Sequence, residues 1–586
     1  MKRKKNKLAS ILLAGSLMFL PVCCHAEAEP AEAATAEVET SDAASRVYEM
    51  EKKTTTIHYG NMEEERKGTI DLFFINGVND VPYISVNTAK DILIRAVRVL
   101  DAPAYDLTME TKGEKVALSR ETHYPVIFDC NEDTIFFWDY DAFMLHNPNA
   151  TLMDLVAVSG FNEQGEAELF QRSDTSFERY GEAITFRPGD YGIDMFYQDG
   201  EHYLPLQLFS DILLSQNAMN TLYNGKDVFI LLGGNLAPFE EAYYNVPHPA
   251  KRSEALAEFN YNELCFALDS LYGLKEQHNI KKFDTMFMQS GLKWQLLSTD
   301  PQEAGQALCD LTFMHLDDLH SAFSKHSFMM TGKPERRLGS SCRQSVADMQ
   351  RYAEARKKVY PNGAPAYEEV GNTAYITFDE FAVEDVGYYT AKAEDHLGDT
   401  IALMIHSFSK ITRENSPIKN VVLDLSNNGG GAAPTAAFTI GMFLGEGSIS
   451  VANPLTGALV IQNFKADLNL DRKFDEKDNL LNYNLFCLTS PNSFSCGNLV
   501  PSALKNSHRV TILGQTSGGG ACVVQNMTTA DGCVFTISGP YRLAYTKNGS
   551  FYDIDQGVTP DFVLPTPEQF YNRKALTNYI NKILWK

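Results

Sequence analysis

From about residue 47 to residue 237, short apolar runs alternate with polar positions at a period of two, as in Ile70-Asp71-Leu72-Phe73-Phe74-Ile75 and around Val126-Ile127-Phe128. Asn-Gly and Asp-Gly steps punctuate these runs, so the pattern predicts hairpins and a β-rich accessory domain over 47–239. Two stretches of it, 75–93 and 197–214, each read as turn, strand with a proline, then short amphipathic helix, which predicts an internal duplication. Near residue 240 the period becomes helical. Tyr261, Leu264, Cys265, Leu268 and Leu271 fall three and four apart and predict an α-helical cap subdomain over 240–330. A polar stretch follows to about 370. Beyond it, predicted strands at 372–378, 421–425, 484–489 and 510–514 alternate with predicted helices at 400–412, 433–444 and 496–506, the order of an α/β core over 331–586.

The beginning of the chain belongs to neither pattern. A basic start, Lys2 to Lys7, precedes an apolar run from Leu8 to Cys24 and the small residues Ala26 and Ala28. This predicts a signal peptide over 1–28 and a secreted or cell-envelope protein. Leu20-Pro21-Val22-Cys23 offers a lipoprotein-type alternative with an anchor at Cys23, ranked second because bulky Val22 stands where a small residue is expected. Residues 29–46 are Ala, Glu, Thr and Ser with few large apolar side chains, the composition of a disordered linker.

Charge then narrows the partners. A formal net charge of −24 repels phosphate backbones, so nucleic acid is not an expected partner. The eight cysteines beyond Cys24 lack metal-knuckle spacing, and several lie in apolar runs. No zinc site, other metal or cofactor is expected.

Three segments carry chemistry. Asn420 to Leu425 reads as a buried strand entering the turn Gly429-Gly430-Gly431, where exposed amides and a following helix start suit an oxyanion or phosphate. No Gly-Lys-Ser/Thr follows, which removes a Walker loop. Leu488 to Leu499 again reads strand, turn, helix and places Ser495 at a helix start. There it is either a plain N-cap, as is Ser493, or a nucleophile with the Cys496 amide as oxyanion donor. Gly514 to Gly520 forms a third glycine loop, and Gly557-Val558-Thr559-Pro560-Asp561 closes the core.

These four motifs, in this order, resemble the tail-specific or C-terminal processing serine peptidases, a family that includes the tricorn core. The resemblance spans roughly 240–565. It implies a crotonase-like core, no cofactor and a polypeptide substrate. Ser495 falls on the family's nucleophile, and Gly429, Gly430 and Cys496 on its oxyanion donors. The lysine of the Ser/Lys members aligns with Gly520, so a replacement base is required. Leu316-Asp317-Asp318-Leu319-His320-Ser321-Ala322-Phe323 resembles the segment that carries the base in Ser/His members, which implies His320 as base. Asp555, with Asp553 as the alternative, is implied as the acid that steadies it. His315 and His326 lie five and six residues from His320 without the carboxylates of a metal site. No stretch between Phe328 and Asn372 is long enough for a PDZ domain, which leaves substrate selection to the cap or the N-terminal domain. That domain resembles the stalk modules of exported bacterial proteins and reads as a spacer or envelope-contacting unit.

Two rivals remain at the level of sequence. A non-catalytic binding protein on the same fold is favoured somewhat by Ser426, Asn498 and Gly520, which depart from the family motifs. An α/β-hydrolase esterase is suggested by Ser493 to Gly497. Its histidine would have to lie downstream, where only His508 stands, one short helix away.

Overall fold

The structure is a computed structural model that describes residues 47–584 apart from 61–64, 100–106, 121–122, 145–159, 163, 166, 173–176 and 548–549. The expected signal peptide, the linker and Cys23 lie outside the described residues. Among the described residues, no helix is long and apolar enough to cross a membrane.

The core is a six-stranded sheet in the order Tyr367–Val370, Thr373–Thr377, Asn420–Asp424, Asn484–Thr489, Val510–Gly514, Phe562–Val563. All neighbours after the first pair are parallel. Alternate side chains serve opposite faces. Ala374, Ile376, Val421, Leu423, Leu485, Cys487 and Ile512 pack with the helices Thr400–Thr412, Ala433–Leu444 and Cys496–Asn506. Tyr375, Val422, Phe486, Leu488 and Leu513 pack on the other face, against Tyr352, Phe570, Leu576 and Ile580. Burial on both faces explains why these strands read as continuous apolar runs.

The helix Ser340–Val359, which carries Tyr352, lies in the stretch that reads as merely polar. Only Cys342, Asp348, Tyr352 and Ala355 of its 20 residues are buried, too few to stand out as an apolar stripe.

A second, eight-stranded sheet packs beside the first. Its main path runs Phe170–Arg172, Ala458–Ala466, Gly447–Asn453, Val534–Lys547, Ala322–Lys325. Here the structure corrects the expected boundary at 239: Phe170–Arg172 and Phe177–Arg179, from the N-terminal region, pair with Ala458–Ala466. A nine-residue strand otherwise presents an open edge, and these two short strands cover it. Side chains reinforce the junction. Asp141 accepts from Asn453 at 2.8 Å and from Thr456 at 2.5 Å, and Gln207 donates to the Thr528 carbonyl at 2.9 Å. The N-terminal region is therefore built into the core rather than held off as a spacer.

Within that region, the two similar stretches meet. Strand Tyr83–Ser85 pairs antiparallel with Glu201–Pro205, Ile84 facing Leu204, and each strand runs directly into a helix. The equivalent residues Ile84 and Leu204 thus face each other at the centre of this pairing. Between Glu240 and Asp310 the chain is helical, and this segment ends in a π-turn at Leu311–His315. All eight described cysteines are buried and unbridged.

Candidate active site

In a parallel sheet the loops after successive strands emerge at one edge, and three of them converge here. They follow Asp424, Thr489 and Gly514. Ser495 opens the helix Cys496–Asn506 with φ 55° and ψ −123°, a conformation that costs a non-glycine residue about 1–3 kcal/mol. The surroundings impose it. Its amide donates to the Gly519 carbonyl at 2.9 Å, and its carbonyl accepts from the amides of Asn498 and Leu499, each at 2.9 Å. Ser495 is not a side-chain cap, and among the described residues nothing bonds its Oγ. Ser493 is different: its hydroxyl accepts from the Ser490 amide at 2.9 Å and donates to the Leu425 carbonyl at 2.7 Å, so it is consumed by the fold. Neighbouring Cys496 is no rival nucleophile, because burial pushes its thiol up to about 12.

The glycine turn lies against this serine. A Cβ built on Gly430 would stand 2.6 Å from Ser495 Cβ, so only glycine permits the approach. The amides, however, are distributed differently from expectation. Gly429 donates to the Asp379 carbonyl and Gly430 to Asn428 Oδ1, both at 3.0 Å. Among the described residues, the amides of Gly431 and Cys496 find no acceptor. The turn formed by Asn428 with the amide two residues on has moved the free donor to Gly431.

His320 lies in a turn just before Ala322–Lys325, after the helical segment and outside its helices. Its ring centroid is 4.7 Å from that of Phe494, the residue before Ser495. The ring is buried and its Nε2 has no partner. Burial lowers its pKa, opposed by the charges of Asp318 and Asp555, so the neutral imidazole is the resting form. The Phe494 ring also covers Gly520: a Cβ there would meet Phe494 Cε2 at 2.5 Å. The aromatic ring thus fills the place from which a lysine at 520 would have to start.

The acids divide cleanly. Asp553 is held by Arg542 at 2.6 Å and accepts the Asp555 amide at 2.9 Å. Asp555 acts on His320 by charge, but its Oδ1 accepts the Ala521 amide at 3.0 Å. Asp318 accepts the His320 amide at 3.0 Å and the Ser321 hydroxyl at 2.8 Å. The polar atom on the ring nitrogen Nδ1 is Ser538 Oγ, at 3.4 Å. Among the described residues, no three His, Cys, Asp or Glu side chains gather as a metal site.

Residues 372–564 match the model of peptidase family S41. This segment, about a third of the chain, is thus similar to the peptidase domains of family S41. The family that this segment matches is one of serine-type peptidases, a class of hydrolases.

No curated protein matches the chain. Among solved structures, the photosystem II D1 C-terminal processing protease is 23% identical over 35% of this chain and 46% of its own, with a TM-score of 0.26. A lipoprotein from Streptococcus agalactiae is 14% identical over 57% of this chain and 99% of its own, with a TM-score of 0.33. Mature CPAF is 12% identical over 56% and 96%, with a TM-score of 0.35. This chain therefore spans less than half the length of the D1 processing protease.

Within the S41 domain, the motif residues not at the reaction centre hold the loops. Asn498 donates to the Ile554 carbonyl at 2.9 Å and accepts from Ser517 Oγ at 2.7 Å, tying the Ser495 helix to the Asp555 loop. Asp561 accepts the Ile512 amide at 2.8 Å. Two neighbours of His320 escaped the sequence reading of roles. Asp318 carried a usable signal, being two residues before the histidine, where an Asp side chain reaches the backbone amide. Ser538 carried none, because 218 residues separate it from His320.

Proposed function

We propose that this S41 domain hydrolyses peptide bonds through an acyl-enzyme, on a crotonase-type core with the helical cap as its lid, in an exported protein. Ser495 Oγ attacks the scissile carbonyl while His320 Nε2 takes its proton. The C–N bond then breaks, and the same proton passes from His320 to the leaving amine. Water repeats the cycle in reverse order to release the acid. The tetrahedral anion is held by the amides of Cys496 and Gly431, and the charge of Asp555 stabilises the imidazolium. One observation supports this above the rest: a serine forced into a positive-φ turn with its Oγ unbonded, while the residue before it, Phe494, packs on a buried histidine whose Nε2 is also unbonded among the described residues. Both groups lack the partners that a purely structural role would give them.

A fluorophosphonate probe tests it directly. The parent protein should label, and cleave fluorescein-casein, while Ser495→Ala abolishes both and His320→Gln slows labelling by ~10²-fold or more. Labelling that survives Ser495→Ala would sink the assignment of the nucleophile. A folded parent that never labels would favour the binding-protein reading.

A further inference from the structure

The nitrogen of His320 that faces away from the reaction has to be held, and its holder determines which tautomer rests in the site. Asp318 and Asp555 act on the ring by charge, yet neither carboxylate bonds it. Asp555 Oδ1 is engaged by the Ala521 amide, and Asp318 by the His320 amide and the Ser321 hydroxyl. Strand Val534–Lys547 does reach it. Thr536 and Ser538 are two residues apart and share one face of that strand. Thr536 Oγ1 donates to the His320 carbonyl at 2.8 Å, and Ser538 Oγ lies 3.4 Å from His320 Nδ1. The pairing of Ala322 with Thr536 fixes this register, so backbone and ring of His320 are held by the same strand. Ser538 is fully buried, and among the described residues its hydroxyl meets no side chain other than His320.

We propose that Ser538 is the positioning residue of the base. Its hydroxyl accepts the Nδ1–H of neutral His320, which keeps the Nε2 lone pair free for the Ser495 proton. During transfer that proton moves from Oγ to Nε2 and on to the leaving nitrogen, while the other ring proton stays on Nδ1, donated to Ser538 Oγ. Asp318 and Asp555 then act by charge alone.

This inference rests on the proposed peptidase mechanism but has a readout independent of activity. Long-range ¹H–¹⁵N NMR of the full chain labelled on histidine, with His320 assigned by the signal lost in His320→Gln, reports the tautomer directly. The parent should show Nδ1–H, Ser538→Ala a mixture with Nε2–H, and Ser538→Thr the parent pattern. Fluorophosphonate labelling should slow roughly ten- to hundredfold in Ser538→Ala and recover in Ser538→Thr. An unchanged Nδ1–H tautomer in Ser538→Ala overturns the inference, whether or not the protein labels. Loss of the tautomer preference in a parent that never labels leaves Ser538 in its role and rejects the peptidase mechanism instead.

Discussion

Gly430 offers a sharp test, because its environment converts one methyl group into a defined displacement of the nucleophile. An alanine Cβ there would lie 2.6 Å from Ser495 Cβ, 3.1 Å from Ser495 Oγ and 3.1 Å from the Phe494 carbonyl. Carbon atoms settle near 3.5–4.0 Å, so about 1 Å must be found. Neither neighbour can swing aside, since Ser495 Cβ and the Phe494 carbonyl both belong to a turn pinned by the Gly519 carbonyl. The backbone adds to the cost: Gly430 sits at φ 112°, where an L-residue is strained by about 1–3 kcal/mol. A misplacement of about 1 Å lowers rates by ~10²-fold, or ~2.7 kcal/mol of barrier. Gly429 provides the control. A Cβ there meets nothing within 4 Å, and its amide bond to Asp379 would survive. The second-order rate of fluorophosphonate labelling and kcat/KM on casein are measured at a temperature where thermal unfolding shows both variants folded. Gly430→Ala should lose about two orders of magnitude by the same reasoning, and Gly429→Ala less than threefold. A Gly430→Ala protein that labels within threefold of the parent would refute the placement of Ser495 against this turn.

Three further predictions concern charge. Arg573, buried on the C-terminal helix, donates to Asp424 at 2.6 Å and holds the strand that feeds the glycine turn; Arg573→Met should cost about 3–5 kcal/mol in urea unfolding by stranding the carboxylate, and a loss under about 1 kcal/mol would contradict it. His320 must be neutral to accept a proton and burial lowers its pKa, so labelling should rise with pH through a midpoint below about 6.5; a midpoint above 7 would be inconsistent. Asp211 and Glu263 form a buried pair in which burial pushes Asp211 up to about 6 and raises Glu263 well above the ordinary carboxylate range. Folded values above the unfolded ones mean that the stability these groups add is complete below about pH 4 and is lost as pH rises, through about 6 for Asp211, with raised Glu263 acting in the same direction. Glu263→Gln keeps a donor to Asp211 and should flatten the fall in unfolding midpoint between pH 6 and 9; an unchanged slope would refute the shared proton.

Local pattern was enough to locate the core strands, because residues buried on both faces of a parallel sheet must be apolar without interruption. It was also enough to locate the glycine turn and the serine at a helix start, since both depend on neighbours within a few residues. The helix Ser340–Val359 escaped for the opposite reason: it buries only four side chains, leaving a mostly polar surface.

What the chain could not reveal by itself were the relations among distant segments. Whether Ser495 caps its helix or stands free depends on Gly519 and Gly430, and whether Gly430 or Gly431 faces an oxyanion depends on how Asn428 folds back. Phe170–Arg172 and Phe177–Arg179 pair with Ala458–Ala466, a strand nearly three hundred residues later. The ring of His320 is flanked by Phe494, from the turn before Ser495, and by Ser538, from the strand paired with Ala322–Lys325. Periodicity records which face of an element is buried, and hydrogen-bond competition in the folded protein decides which polar groups remain available for chemistry.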